Sequence, residues 1–192
     1  MRSCFLAVAA LLLLAPPTRS EEIKGWFMAG SDPTSYEMVR DPAAMHGSAT
    51  SVRMASTKES KGFGTIMQVI SAAHYTGKRV RLSASVKTQD VGSWAGLWMR
   101  VDDASNPVKV LAFDNMQSRA LKGTADWSTA SVVLDVASNA NVISYGILLD
   151  GQGKVWMSDL KFEPVPTSVP TTGKPMNSKP EFTEPENLDF KN

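Results

Sequence analysis

The sequence predicts an all-β fold, an antiparallel β-sandwich, and three observations carry that prediction. Residues 79–87 alternate without a break, with Val80, Leu82, Ala84 and Val86 on one side and Arg81, Ser83, Ser85 and Lys87 on the other. A strand sends successive side chains to opposite faces, so this pattern is a strand with one buried face. Comparable runs recur at 51–55, 64–70, 94–101, 108–115, 128–136, 142–149 and 154–163, with shorter ones near 25–28 and 36–39. Turn chemistry separates them: Asp103 to Pro107, Lys122-Gly123-Thr124, Ser138 to Asn141, and Asp150-Gly151-Gln152-Gly153. Only 71–76 has the composition of a helical turn. Many short strands with no helices between them bury their apolar faces by packing sheet on sheet.

The chain opens on a leader. Arg2 precedes an apolar run from Phe5 to Ala15 that includes four consecutive leucines, Pro16 and Pro17 break it, and Glu21-Glu22 follows Ser20. A membrane span needs about 20 apolar residues, so this shorter run reads as a cleaved signal peptide over 1–20. Cys4 is the single cysteine and lies inside the leader, ahead of the apolar run rather than after it, which argues against a lipid anchor. The mature chain then has neither disulfide nor thiol chemistry and must be held by its core. A periplasmic or extracellular location is expected, with no membrane association after cleavage.

Removing Arg2 and Arg19 with the leader leaves 18 basic and 19 acidic residues. Nucleic-acid binding requires a clustered basic excess, so nucleic acid is not an expected partner. Residues 21–163 are expected to form one domain, long enough for a substantial core. From Pro164 onward the chain holds six of its eleven prolines and has no hydrophobic period. Too little apolar surface is available there to offset ordering entropy, and 164–192 reads as a disordered tail.

The strand at 94–101 is the most informative segment. Ala95, Leu97, Met99 and Val101 form an apolar face suited to a core, whereas Trp94, Gly96, Trp98 and Arg100 share the other face. Two indoles flanking a glycine, with a guanidinium beside them, offer a stacking surface and a fixed charge. If the following hairpin pairs in even register, Arg100 and Asp114 project to the same side; a one-residue bulge would separate them. Gln68 is the further candidate for that face. Aromatic rings against sugar C–H surfaces, with Arg, Asp and Gln fixing hydroxyls, would make a carbohydrate platform. The competing structural readings are that Trp94 and Trp98 are core, that Arg100 and Asp114 are an ion pair, and that Gln68 is a satisfied polar residue.

The runs GKRVRLSASVKT, WAGLWMRVD and KGTADWSTASVVLDVASNANVISYGILLDGQGKVWMSDLKFEPV resemble the galactose-binding-like jelly roll of the carbohydrate-binding-module type. The resemblance spans most of Gly62 to Val165 and is strongest at the Gly123-to-Trp127 corner and the closing Gly153-to-Leu160 strand. It implies structural roles for Trp127 and Trp156. It also implies a place for a structural calcium at Asp159, although the segment reads Ser158-Asp159 where the fold often has an Asp-Asp pair. Modules with FDNM and WAGLWMRVD-like segments are found in bacterial proteins, some labelled regulators of the AraC type, where the module accompanies a DNA-binding part. No helix-turn-helix pattern is present in this chain.

Catalytic constellations are missing from the sequence. His46 and His74 are the two histidines, and neither has metal-ligand spacing. There is no G-x-S-x-G elbow, and Gly151-Gln152-Gly153-Lys154 is too short for a phosphate loop. Asp102 and Asp103 are adjacent, so a strand would point them to opposite faces rather than pair them for glycoside chemistry. The sequence therefore predicts a non-catalytic module without cofactor or metal, whose ligand site comprises Gln68, Trp94, Trp98, Arg100 and Asp114. Its expected partner is a saccharide or a similar polar ligand, and the alternative is a protein of the cell envelope.

Overall fold

The computed structural model describes residues 23–47, 49–103 and 109–175. Ten strands follow in chain order: β1 (Phe27–Gly30), β2 (Tyr36–His46), β3 (Ala49–Ser56), β4 (Phe63–Ser71), β5 (Arg79–Asp103), β6 (Lys109–Asp114), β7 (Leu121–Asp135), β8 (Val142–Asp150), β9 (Lys154–Val165) and β10 (Lys174–Pro175). Two single 3-10 turns, at Pro33–Ser35 and Gln117–Arg119, are the helical elements among the described residues. Residues 72–76 form a turn, closed by Tyr75 and Thr76 N–H groups on the Ala72 carbonyl.

All strand pairs are antiparallel, and β5 belongs to both layers. Its first half lies between β9 and β7 in a back layer ordered β2-β3-β9-β5-β7. Its second half lies between β8 and β6 in a front layer ordered β1-β4-β8-β5-β6-β10. The two predicted strands at 79–87 and 94–101 are thus one strand that changes sheet. The change occurs where Asp90 takes a left-handed φ of 54° and the β5–β7 register slips between Thr88 and Ala95. Gly153 lets the β8–β9 turn cross this bend, since a Cβ there would lie 2.7 Å from Val91 Cα.

The core lies between the layers. Ile66, Leu97, Met99, Val101, Ile143, Ile147 and Leu149 point inward from the front, and Met54, Val80, Leu82, Val86, Val132, Leu134 and Val155 from the back. These are the alternating apolar positions of the sequence, and their burial is the main stabilising contribution. Polar clamps close the ends. The Tyr36 hydroxyl lies between the Gly62 and Gly151 carbonyls, at 2.9 and 3.0 Å. Trp156, on the outer side of the back layer, donates its indole N–H to Asp41 at 2.9 Å. That bond is the largest influence holding the Asp41 carboxyl below its usual range.

The domain extends past the expected boundary at 163. β9 continues to Val165, and Arg79 Nη1 then donates to the Thr167 and Val169 carbonyls at 2.6 Å each. Thr172 exchanges hydrogen bonds with the Val133 backbone, and β10 adds an edge strand to β6. Residues 164–175 are therefore part of the fold rather than of a tail. Prolines at 164, 166 and 170 are tolerated because an edge segment needs few of its own N–H groups. The predicted leader at 1–20 and the rest of the predicted tail lie outside the described residues. Among the described residues, no helix is long and apolar enough to cross a membrane.

Candidate functional site

The outer face of the front layer carries an open groove of about 520 Å³. Strand register assembles it. One row across the sheet reads Phe27 on β1, Met67 on β4, Gly146 on β8 and Trp98 on β5. The row on one side reads Ala29, Thr65, Leu148 and Gly96, and the row on the other joins Ser144, Arg100 and Phe113. Ser31, Phe63 and Asn115 complete the lining from the ends of strands.

Trp98 lies low in the groove and is 8% exposed. Its indole Nε1 donates to the Thr65 hydroxyl at 2.7 Å, and that hydroxyl donates onward to the Ile147 carbonyl at 2.9 Å. Thr65 is two strands away, so the indole spans β8, and its cross-strand partner Gly146 has no side chain to obstruct it. A side chain at Gly146 has no room in any case, because a Cβ would sit 2.0 Å from the Ile66 carbonyl oxygen. The alternation in 94–101 thus places Trp98 on the outer face, outside the inter-sheet core.

Arg100 stands at the side of the groove with its side chain 43% exposed. Nε donates to Asp102 Oδ2 at 2.9 Å, and the Asp102 side chain is only 4% exposed. This pairing fixes the plane of the guanidinium. Its terminal nitrogens have no partner among the described residues.

Three expected site residues lie elsewhere. Asp114 is separated from Arg100 by a bulge: Val101 faces Ala112 but Asp102 faces Val110, so Leu111 is the extra residue. Arg100 consequently sits opposite Phe113, and Asp114, opposite Met99, turns to the other face. There it receives Arg119 Nη2 at 2.6 Å and the Met116 N–H at 2.8 Å. Burial opposes ionisation of Asp114, but hydrogen bonds from Arg119, Thr172 and Met116, with the Arg119 charge, outweigh it and hold the carboxyl below its usual range.

Gln68 also faces away from the groove, since Thr65 and Met67 occupy the outward positions of β4. It accepts the Tyr145 hydroxyl, whose ring stacks on Phe162 and meets Trp26 edge-on. It is a satisfied polar residue at the margin of the core. Trp94 is on the outer face but outside the groove. Between it and Trp98, the chain at Asn115–Met116 crosses directly over Gly96, where a Cβ would meet the Asn115 carbonyl oxygen at 2.9 Å. Gly96 is therefore a crossing point and not the floor of an aromatic platform.

Phe63, Met67, Phe113, Asn115 and Ser31 were not singled out from sequence. Phe113 had a visible signal, lying one strand from Arg100 at the position next to Asp114. Met67 and Thr65 alternate with Ile66 and Gln68, but nothing in the run says which face is outward.

Asp159, the position that the resemblance marks, is engaged by a histidine. Asp159 Oδ2 lies 2.5 Å from His46 Nδ1, and the His46 ring is 5.3 Å from that of Trp127. Among the described residues, no group of three or more His, Cys, Asp or Glu side chains is placed to hold a metal ion. Asp159 instead ties the end of β2 to β9, at a backbone φ of 50°.

No family model matches the chain. A curated relative, the uncharacterized HTH-type transcriptional regulator YbfP of Bacillus subtilis (strain 168), is 43% identical over 172 residues; these cover 88% of this chain and 57% of the relative. The chain thus spans little more than half the length of that relative. Among solved structures, the fold is similar to the C-terminal family 22 carbohydrate binding module of Clostridium thermocellum Xyn10B. The TM-score is 0.52 at 11% identity, over 74% of this chain and 87% of that one. It is likewise similar to the CBM22-1 xylan-binding domain of Paenibacillus barcinonensis Xyn10C, with TM-score 0.50 and 13% identity, over 73% and 86%. The fold is the β-sandwich jelly roll of carbohydrate-binding modules, as the resemblance in the sequence implies.

Proposed function

We propose that this protein is a non-catalytic saccharide-binding module and that its ligand lies in the front-layer groove. The observation that carries this reading is the groove itself, which combines an indole, two phenylalanines and a half-exposed, pre-oriented guanidinium on a rigid sheet. Apolar walls suit the C–H faces of a sugar ring, and Arg100 and Asn115 supply hydrogen bonds at its edge. The fold shared with isolated carbohydrate-binding modules supports the same reading, and the groove lining offers no carboxylate pair for glycoside chemistry. Action in the periplasm or outside the cell is part of the proposal; it rests on the leader at 1–20 and is tested by N-terminal sequencing of the exported protein.

The test of binding is a polysaccharide pull-down with the wild-type protein and Trp98→Ala. Retention of the wild type and loss in the variant support the reading. Failure of every glycan to retain the wild type, with a cell-envelope protein co-purifying instead, overturns it. One observation favours that second outcome: Phe27 and Val69, each 46% exposed, extend the apolar surface beyond the groove at the β1–β4 edge.

A further inference from the structure

Among the described residues, the side chains lining the groove keep several unused hydrogen-bond donors. The Thr65 hydroxyl is used in both directions, toward Ile147 and from Trp98. Asn115 Oδ1 accepts the Gln117 N–H at 3.1 Å, which leaves its NH₂ group. Ser31 Oγ accepts the Phe63 N–H at 3.0 Å, which leaves its hydroxyl hydrogen. Arg100 uses Nε on Asp102 and, among the described residues, keeps both terminal nitrogens. Among the described residues no carboxylate lines the groove, and Asp102, the acid beside Arg100, is buried.

A neutral sugar hydroxyl both donates and accepts, so it gains from acceptors as well as donors. Here the side-chain acceptors are spare lone pairs on Ser31 and Asn115. An oxyanion asks only for donors. A guanidinium held at Nε presents its two terminal nitrogens as a fork that matches a carboxylate in both geometry and charge. Resting on the saccharide reading above, we propose that the groove selects an acidic saccharide, one bearing a carboxylate as a glycuronic acid does, and that Arg100 receives the carboxylate. Asp102 is the positioning residue, because it sets the plane of the fork without entering the groove.

The experiment is calorimetric titration of the full protein with polygalacturonate, alginate and hyaluronate, against their methyl esters and against neutral xylan and galactan. Binding to at least one acidic polymer is expected, weakened about tenfold or more by esterification of that polymer, by Arg100→Gln and by added salt. Arg100→Lys keeps the charge but not the fork and should fall between. Thermal unfolding of each variant checks that it is folded, and the esterified ligands test the claim without altering the protein. Equal binding of free and esterified polymer, or preference for the neutral glycans, overturns the acidic class while leaving saccharide binding intact. No binding to any member of either set overturns both.

Discussion

The indole of Trp98 on β5 donates to the hydroxyl of Thr65 on β4, 2.7 Å away across the intervening strand β8. One hydrogen bond therefore locks the ring that forms the groove wall and joins three strands of the front layer. A ring held this way binds with little loss of conformational freedom, which is what pre-organisation contributes to affinity.

Thr65→Val removes the acceptor while keeping the side-chain shape. The Trp98 N–H is then buried without a partner, which costs about 1–3 kcal/mol. Urea denaturation should show a lower midpoint with an unchanged slope, and the Trp98 fluorescence should shift as the ring loosens. A stability equal to wild type would mean that the bond is not formed in solution.

Gly96 and Gly92 make a matched pair on β5. A Cβ at Gly96 meets Asn115 O at 2.9 Å and Met116 Cβ at 3.0 Å, whereas at Gly92 the nearest atom is Gln152 O at 3.8 Å. Gly96→Ala should destabilise by about 1–3 kcal/mol as the crossing segment is pushed outward. Gly92→Ala should be nearly neutral. Thermal unfolding of the two variants tests the order, and the reverse order would contradict the crossing over Gly96.

The buried Asp114 and the part-exposed Arg119 form an ion pair with a defined pH signature. The folded-state pKa of Asp114 is below its ordinary value, so the pair contributes stability above the unfolded-state pKa of about 3.9 and loses it as pH falls through the folded-state value. Asp114→Asn should therefore be less stable than wild type at neutral pH, by about 1–3 kcal/mol. The gap should be constant at neutral and mildly acidic pH and narrow below about pH 4. Denaturation curves across that range measure it, and a gap independent of pH would remove the ionised carboxylate from the account.

Deleting residues 164–192 tests the corrected boundary. It removes the Thr172 contacts with Val133, the β10 pairing and both carbonyls held by Arg79. The truncated protein should unfold several degrees lower than wild type, at roughly 4–8 °C per kcal/mol for a small domain. Equal melting of wild type and the 164–192 deletion would restore the boundary at 163.

Period-two alternation made the strands and the core legible before the structure, because burial of one face imposes it. Leu97, Met99 and Val101 went inward and Trp98 and Arg100 outward, as the alternation in 94–101 required. The union of 79–87 and 94–101 in one strand was not legible, since the residues between them look like a turn and the pairing that continues the strand is non-local. Asp114 was misplaced for a physical reason of the same kind. The bulge at Leu111 is set by tertiary packing, and a one-residue slip inverts every side chain beyond it. Gln68 was misplaced because Thr65 to Gln68 alternates without a charge to mark the outward face. Residues 164–175 are held by partners on β5, β6 and β7, which composition does not register, because it measures what a segment can bury by itself.

The proposed saccharide site is the front-layer groove, with Trp98 as its central contact. Quantitative retention on a panel of immobilised polysaccharides, with Trp98→Ala and Phe113→Ala beside the wild type, tests it most directly. At least one glycan should retain the wild type, and both variants, folded by circular dichroism, should lose about tenfold or more in affinity. A wild-type protein retained by none of the panel, or variants retained as well as the wild type, would contradict it.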